Sequence, residues 1–248
     1  MSSAARDISR STGSPLQPCL GVKVAAGWLA GLIARRRRFG YPPAMASPAQ
    51  FWSQFAARYD GHVLSRDAVV LSPRIADAAG PVERVLDAGC GTGQVTVELA
   101  RIAKRVDAVD FVDEMLTIAR RKAQTLGLTN VSFEKMGVDA LAFPDGSFDA
   151  VVLSNVLHLV DDPGKALREA RRVLKPGGKL VAPSYCHAEG LGALLLSHVS
   201  ALLFRLPVRQ RFSVNELLRL VESSGFSIEG REVLRFKMPL VFVEARAA

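Results

Sequence analysis

The chain has 248 residues, 49% of them hydrophobic and 23% charged, and a net charge of +8. That length holds one large domain or two small ones, and the composition is that of an ordinary globular protein, neither fibrous nor disordered throughout. The charge is not a nucleic-acid footprint: residues 1–44 carry seven basic groups against one acid, and the rest of the chain is nearly balanced, 25 against 23.

Ser, Ala, Gly and Pro dominate residues 1–18, as suits a disordered segment. The apolar run at 24–34 is too short to span a bilayer. Four arginines, Arg35 to Arg38, follow that run, whereas a secretory signal places its charges first, which argues against export. Two readings of 1–44 stand. The favoured one is a poorly ordered basic extension, with Met45 opening a plausible shorter protein. The other is an Arg- and Ser-rich, acid-poor transit peptide. The expected location is cytoplasmic, with organelle targeting as the alternative. Cys19, Cys90 and Cys186 lie far apart with no C-x-x-C pair, so neither a zinc site nor a disulfide framework follows.

Residues 45–248 read as one domain. "QFWSQFAARYD" places Phe51, Trp52, Phe55 and Tyr59 at helical spacing. "RVLDAG" is a buried strand and "GQVTVELARIA" the helix it feeds. "RVDAVD" is a second strand. Asp113 is expected to cap a helix whose face carries Met115, Leu116, Ala119, Ala123 and Leu126. "NVSFEK" and "FDAVVLSN" are the third and fourth strands, the latter entered through the turn "PDGS". Asp162-Pro163 opens a helix that "KPGG" stops, and "GKLVAPSY" is a fifth strand. Ser213 and Glu216 form a capping box, and two closing strands, "SIEGREVLRF" and "PLVFVEAR", have no helix between them. This alternation predicts an α/β fold: a seven-stranded, mostly parallel Rossmann-like sheet with an antiparallel C-terminal hairpin and helices on both faces.

In such a sheet a ligand sits past the carboxyl ends of the strands, so the loop "GCGTG" after the first strand is the expected contact. A phosphate-binding loop would continue with Lys and Ser/Thr, but here Gln94 and Val95 follow. A dinucleotide fingerprint spaces glycines G-x-G-x-x-G, whereas Gly89, Gly91 and Gly93 are spaced G-x-G-x-G. A plain strand-to-helix turn is the bland reading. Against it stand Asp110, at the end of the second strand and able to accept from both hydroxyls of a ribose, and Asp139, placed to meet an adenine edge.

Together "VLDAGCGTG", "VDAVDFVDEML", "GVDALAFPDGSFDAVVLSNVLHLVDDP" and "LKPGGKLV" resemble the class I S-adenosylmethionine-dependent methyltransferases, most of all the small-molecule branch of quinone, sterol and phospholipid methylases. The resemblance runs from about Phe51 to the C-terminus. It implies S-adenosyl-L-methionine as cofactor and no metal. Asp87, Gly89, Gly91 and Gly93 would hold its methionine end, Asp110 its ribose, Phe111 the adenine ring, Asp139 the exocyclic amine and Ala140 a backbone N–H. Asn155 would lie near the reactive methyl, and Tyr59 resembles the N-terminal flap that closes over the cofactor. Methyl transfer needs a base only where the acceptor loses a proton; His158, His187 and Tyr185 are the candidates.

Residues 191–208 hold one charge, Arg205. A membrane span there would tear the sheet, so a helical cover over an acceptor pocket (191–212), with Leu195, Leu196, Val199, Leu202 and Leu203 as its apolar stripe, is the expectation. It suits a small lipophilic acceptor, or peripheral docking where Arg205, Arg209 and Arg211 meet anionic headgroups. Simple packing on the sheet is the alternative. A nucleic-acid methyltransferase is disfavoured, because Ser154-Asn155-Val156-Leu157 stands where adenine-methylating relatives place a Pro-Pro-aromatic tetrapeptide. A protein acceptor or a non-catalytic cofactor-binding fold remains an alternative, and nothing in the pattern sets an oligomeric state.

Overall fold

The computed structural model describes residues 47–61, 63–204, 207–236 and 238–248, so the extension read over 1–44 lies outside the described residues. Strand-like runs of the sequence make the central strands. These are β1 (Val82–Ala88), β2 (Ala103–Asp110), β3 (Val131–Lys135), β4 (Phe148–Val152) and β5 (Leu174–Val181). A two-residue strand β6 (Ser184–Tyr185) and the hairpin β7 (Phe226–Arg235) and β8 (Pro239–Ala247) complete an eight-stranded sheet, one strand more than expected. The order is β3-β2-β1-β4-β5-β8-β6, with β7 pairing on β8. Pairs among the first five strands are parallel, and β8 runs antiparallel to β5, β6 and β7. The order reverses between β1 and β4, and a cleft opens past the carboxyl ends there.

Seven helices are described. They are α1 (Pro48–Tyr59), α2 (Val63–Ala79), α3 (Gln94–Ile102), α4 (Asp113–Thr125), α5 (Pro163–Val173), α6 (Gly190–Phe204) and α7 (Val214–Ser223). Because side chains alternate across a strand, neighbouring residues feed opposite layers. Val85, Ala150 and Val152 pack with Leu71, Ile75 and Leu99 of α2 and α3. Leu86 and Val151 pack with Leu167, Ala170, Leu217 and Val221 of α5 and α7. Expected caps form: Asp162 accepts from the Lys165 N–H, and Ser213 with Glu216 closes a capping box. Among the described residues no helix is long and apolar enough to cross a membrane.

Four local readings are corrected. Helix α2 was not legible, because Pro73 and the exposed pair Val69-Val70 interrupt its apolar spacing. Asp113 is the first helical residue of α4 rather than its cap, and its carboxylate pairs with Lys135. The N–H of Val112, the capping position, goes instead to Asp110 Oδ1 at 3.0 Å. Leu126 falls past the end of α4 and is 52% exposed. Finally, α6 turns Leu195, expected to face inward, to solvent together with Leu191, while Ser197 is buried. A helix apolar on every side carries no pattern that selects its inner face. The side chains of Leu202 and Leu203 lie outside the described residues.

Candidate active site

The loop after β1 turns tightly because three of its residues adopt left-handed backbone: φ is +80° at Gly89, +52° at Gly91 and +80° at Gly93. The N–H groups of Gly89 and Cys90 both donate to Val109 O, at 2.8 and 2.9 Å, which lashes the loop to β2. The glycines serve different purposes. A Cβ on Gly89 would stand 2.5 Å from Val156 Cγ2, and one on Gly93 would stand 3.0 Å from Ala119 Cβ. A Cβ on Gly91 would meet nothing within 4 Å. Gly91 therefore presents bare backbone to open space, and Gly93 lets α3 approach α4.

That space is a cleft of about 560 Å³, within the range of small-molecule sites. Tyr59, Gly89, Gly91, Asp110, Phe111, Asp139 and Asn155 all line it. So do Ser47, Pro48, Ala49 and Trp52 of the first described segment, and Lys165 of α5. Asp110 Oδ2 accepts from the Gly91 N–H at 2.9 Å, and Oδ1 from Val112. Burial nevertheless raises this carboxyl above its ordinary range, against the lowering by the Gly91, Val112 and Phe111 N–H groups. Phe111 is 43% exposed, an aromatic face left for a ligand. Asp139 lies 3.4 Å from Lys165 Nζ. Asn155 has φ +56°, the one described non-glycine residue with left-handed backbone, and its buried Oδ1 has no hydrogen-bond partner. Strain and an unpaired acceptor at one residue mark a ligand-facing position.

Three expected contacts stand elsewhere. Asp87 is buried behind the loop, its Oδ2 accepting from Thr96 Oγ1 at 2.6 Å, and burial pushes its pKa up to about 7. Gly93 packs against α4, and the Ala140 N–H donates to Gly137 O at 3.3 Å. None of these three is among the described residues lining the cleft.

Several side chains that position the site carried no signal in the sequence. Asp60 accepts from Thr92 Oγ1 and Gln94 Nε2, at 2.5 and 2.8 Å, and pairs with Lys122 at 3.0 Å, which joins the end of α1 to the glycine loop and α4. Burial raises its carboxyl, but these partners pull it below the ordinary value. Arg172 of α5 donates to Leu141 O and Phe143 O, at 2.7 and 2.8 Å, and so holds the loop that follows Asp139. Such contacts join residues far apart in the chain, so spacing alone does not reveal them. Trp52 was within reach, on the aromatic face of α1.

The three candidate bases lie together. The His158 ring is 5.7 Å from that of Tyr185 and 5.2 Å from that of His187. Tyr185 donates to Asp67 Oδ2 of α2 at 2.6 Å. Burial, then the bond to Asp67 and its charge, push this phenol well above its usual range. Burial, with His187 adding, holds His158 well below 6.5, and burial with the Arg211 charge brings His187 down to about 4. Both histidines are therefore neutral at pH 7. Burial also pushes the Tyr59 phenol up to about 12, with Asp60 and Asp110 adding.

The residues around the cleft fit an S-adenosyl group: a carboxylate for a ribose, an exposed aromatic face, a bare glycine backbone and an unpaired amide oxygen. Residues 86–182 match the family described as "Methyltransferase domain". A ubiquinone/menaquinone biosynthesis C-methyltransferase, UbiE, from Vibrio vulnificus is 38% identical over 146 residues, covering 55% of this chain and 56% of that protein. The chain thus spans about half the length of the curated relatives it matches. Among solved structures, a geranyl diphosphate methyltransferase in complex with S-adenosylmethionine superposes with a TM-score of 0.64 at 19% identity, over 82% of this chain and 93% of that one. The [4+2]-cyclase SpnF superposes with a TM-score of 0.64 at 21% identity, over 95% and 98%. The last two share the fold. With the matched domain and this architecture, residues 86–182 form a methyltransferase domain, and the chain has the fold of the S-adenosylmethionine-dependent methyltransferases that it resembles.

Proposed function

We propose that this protein methylates a small, lipophilic acceptor, with S-adenosyl-L-methionine as donor. The observation that carries the reading is the convergence on one cleft of Asp110, the bare backbone of Gly91 and the unpaired amide oxygen of Asn155. Asp110 would accept from the ribose hydroxyls, Phe111 would cover the adenine, and Asp139 would meet its amine. Gly89 and Gly91 would let the methionine end approach the backbone. When bound, the group supplies a methyl on a sulfonium, an electrophile that requires no activation by the protein. The chain's own work is to align the acceptor and exclude water; alignment contributes up to ~7–11 kcal/mol in well-oriented systems. Trp52 and Tyr59 of α1 wall the cleft and serve the second task.

A lipophilic acceptor is supported by the quinone named in the UbiE relative's description. Peripheral contact with a lipid surface is supported by α6, which leaves Leu191 79% and Leu195 64% exposed. Calorimetric titration with S-adenosyl-L-homocysteine, NAD and ATP tests the donor: binding of the first alone supports the reading, and binding of NAD without the first overturns it. Mass spectrometry of a native extract incubated with the protein and methyl-labelled donor identifies the acceptor. Label arriving only on nucleic acid or protein overturns the small-molecule reading.

A further inference from the structure

Helix α5 turns a polar stripe toward the loop that carries Asp139. Lys165, Glu169 and Arg172 recur at helical spacing, so they project from one side of the helix. Arg172 donates to Leu141 O and Phe143 O, and Glu169 Oε2 accepts from the Leu141 N–H at 2.9 Å. Lys165 Nζ lies 3.4 Å from Asp139 Oδ2, and both residues line the cleft. Two members of the stripe thus hold the loop backbone, and the third reaches the site.

A structural role accounts poorly for Lys165. It is the third residue of α5, after Pro163 and Gly164, where the positive end of the helix dipole favours an acid and a capping box takes Glu or Gln. Asp162 already caps this end by accepting from the Lys165 N–H at 2.8 Å. The ion pair of Lys165 with Asp139 is half-exposed, and such pairs add little stability. The loop itself lacks what a lysine can give. The three N–H groups that follow Asp139 are committed: Ala140 to Gly137 O at 3.3 Å, Leu141 to Glu169, and Ala142 to Met136 Sδ at 3.1 Å. A base whose amine meets Asp139 finds no donor among these groups for the adjoining ring nitrogen.

We propose that Lys165 supplies that donor, its ammonium bonding ring nitrogen N1 of the adenine while Asp139 accepts from the exocyclic amine. The inference rests on the methyltransferase reading and names the residue that selects the base of the donor molecule. The role that the resemblance assigns to the Ala140 N–H passes to a side chain of α5. An ammonium has three donors, so one can stay with Asp139 while another meets the ligand. The pair shows the ligand an acceptor beside a donor. Adenine presents the complement along its Watson–Crick edge, an amine donor beside a ring-nitrogen acceptor. Hypoxanthine and guanine place a carbonyl oxygen and a ring N–H there, so acceptor faces acceptor and donor faces donor. Mismatched polar groups discriminate more sharply than a difference in shape.

The test is titration calorimetry on the full chain with S-adenosyl-L-homocysteine and its 1-deaza and 7-deaza analogues, in each of which a C–H replaces one ring nitrogen. Wild type is expected to bind the 1-deaza analogue about fivefold more weakly than the parent, and Lys165→Met to bind the two within about twofold. Lys165→Met keeps the aliphatic stem and loses only the ammonium, so it is expected to melt close to wild type. Lys165→Arg keeps a donor and is expected to keep the gap; it reports on the donor if the methionine variant does not fold. The gap for the 7-deaza analogue is expected to be the same in wild type and Lys165→Met. A 1-deaza gap that is absent from wild type or unchanged in Lys165→Met overturns the assignment, as does closure of the 7-deaza gap in its place. Failure of S-adenosyl-L-homocysteine to bind wild type overturns the methyltransferase reading and this inference with it.

Discussion

The Gly91 N–H donates to Asp110 Oδ2 at 2.9 Å, so one carboxylate both shapes the glycine loop and faces the cleft. Asp110→Ala removes a charged acceptor from both tasks. Binding of S-adenosyl-L-methionine is expected to weaken by roughly 1.5–3 kcal/mol, the worth of hydrogen bonds to a charged group. Titration calorimetry measures it; unchanged affinity would place the ribose elsewhere.

Gly91→Ala and Gly93→Ala should separate binding from stability. Each forces a left-handed alanine, at about 1–2 kcal/mol. At Gly91 the new methyl enters open space beside the cleft, so cofactor affinity should fall beyond that stability loss. At Gly93 it meets Ala119 at 3.0 Å, so melting temperature should fall further while affinity per folded molecule is kept. The opposite pattern would reverse the roles given to the two glycines.

Asp87 predicts a pH dependence. Its folded pKa of about 7 lies above the ordinary 3.8, so the native state holds a proton that the unfolded chain has lost. Its contribution to stability is therefore full below about pH 4 and declines as pH rises toward 7, by roughly a few kcal/mol. Asp110, also raised, acts in the same direction. Asp87→Asn should flatten the decline in melting temperature between pH 5 and 7.5. A variant that keeps the wild-type slope would show that Asp87 is ionised in the fold.

Arg172→Ala should loosen the loop after Asp139. It removes donors to Leu141 O and Phe143 O, together with ion pairs to Glu169 and Asp145. Hydrogen exchange across residues 139–145 should quicken and cofactor affinity fall several-fold, with about 1–3 kcal/mol of stability lost through unpaired carbonyls. Unchanged exchange would mean that the loop is held by its own turn.

The central strands, the glycine turn and the acid ending the second strand were legible because each leaves a local pattern: an apolar run, a G-x-G-x-G spacing, a carboxylate at a strand end. Helix α2 left none. Its buried stripe of Leu71, Ile75, Ala76 and Ala79 is read as helical only once α3 and the sheet stand against it. Asp87 and Gly93 sit inside the motif, yet their side-chain surroundings are set by Thr96 and Ala119, which spacing in the loop does not reveal. The pairing of Tyr185 with Asp67 joins positions 118 residues apart, and no pattern along the chain encodes it.

Asp60 bears on time rather than affinity. It joins α1, which walls the cleft, to Thr92, Gln94 and Lys122 at once. An exit that required α1 to move aside would have to break these contacts first. On such a route a carboxylate outside the described cleft lining would set how long the demethylated by-product stays, and Asp60→Ala would shorten residence without altering which molecules fit.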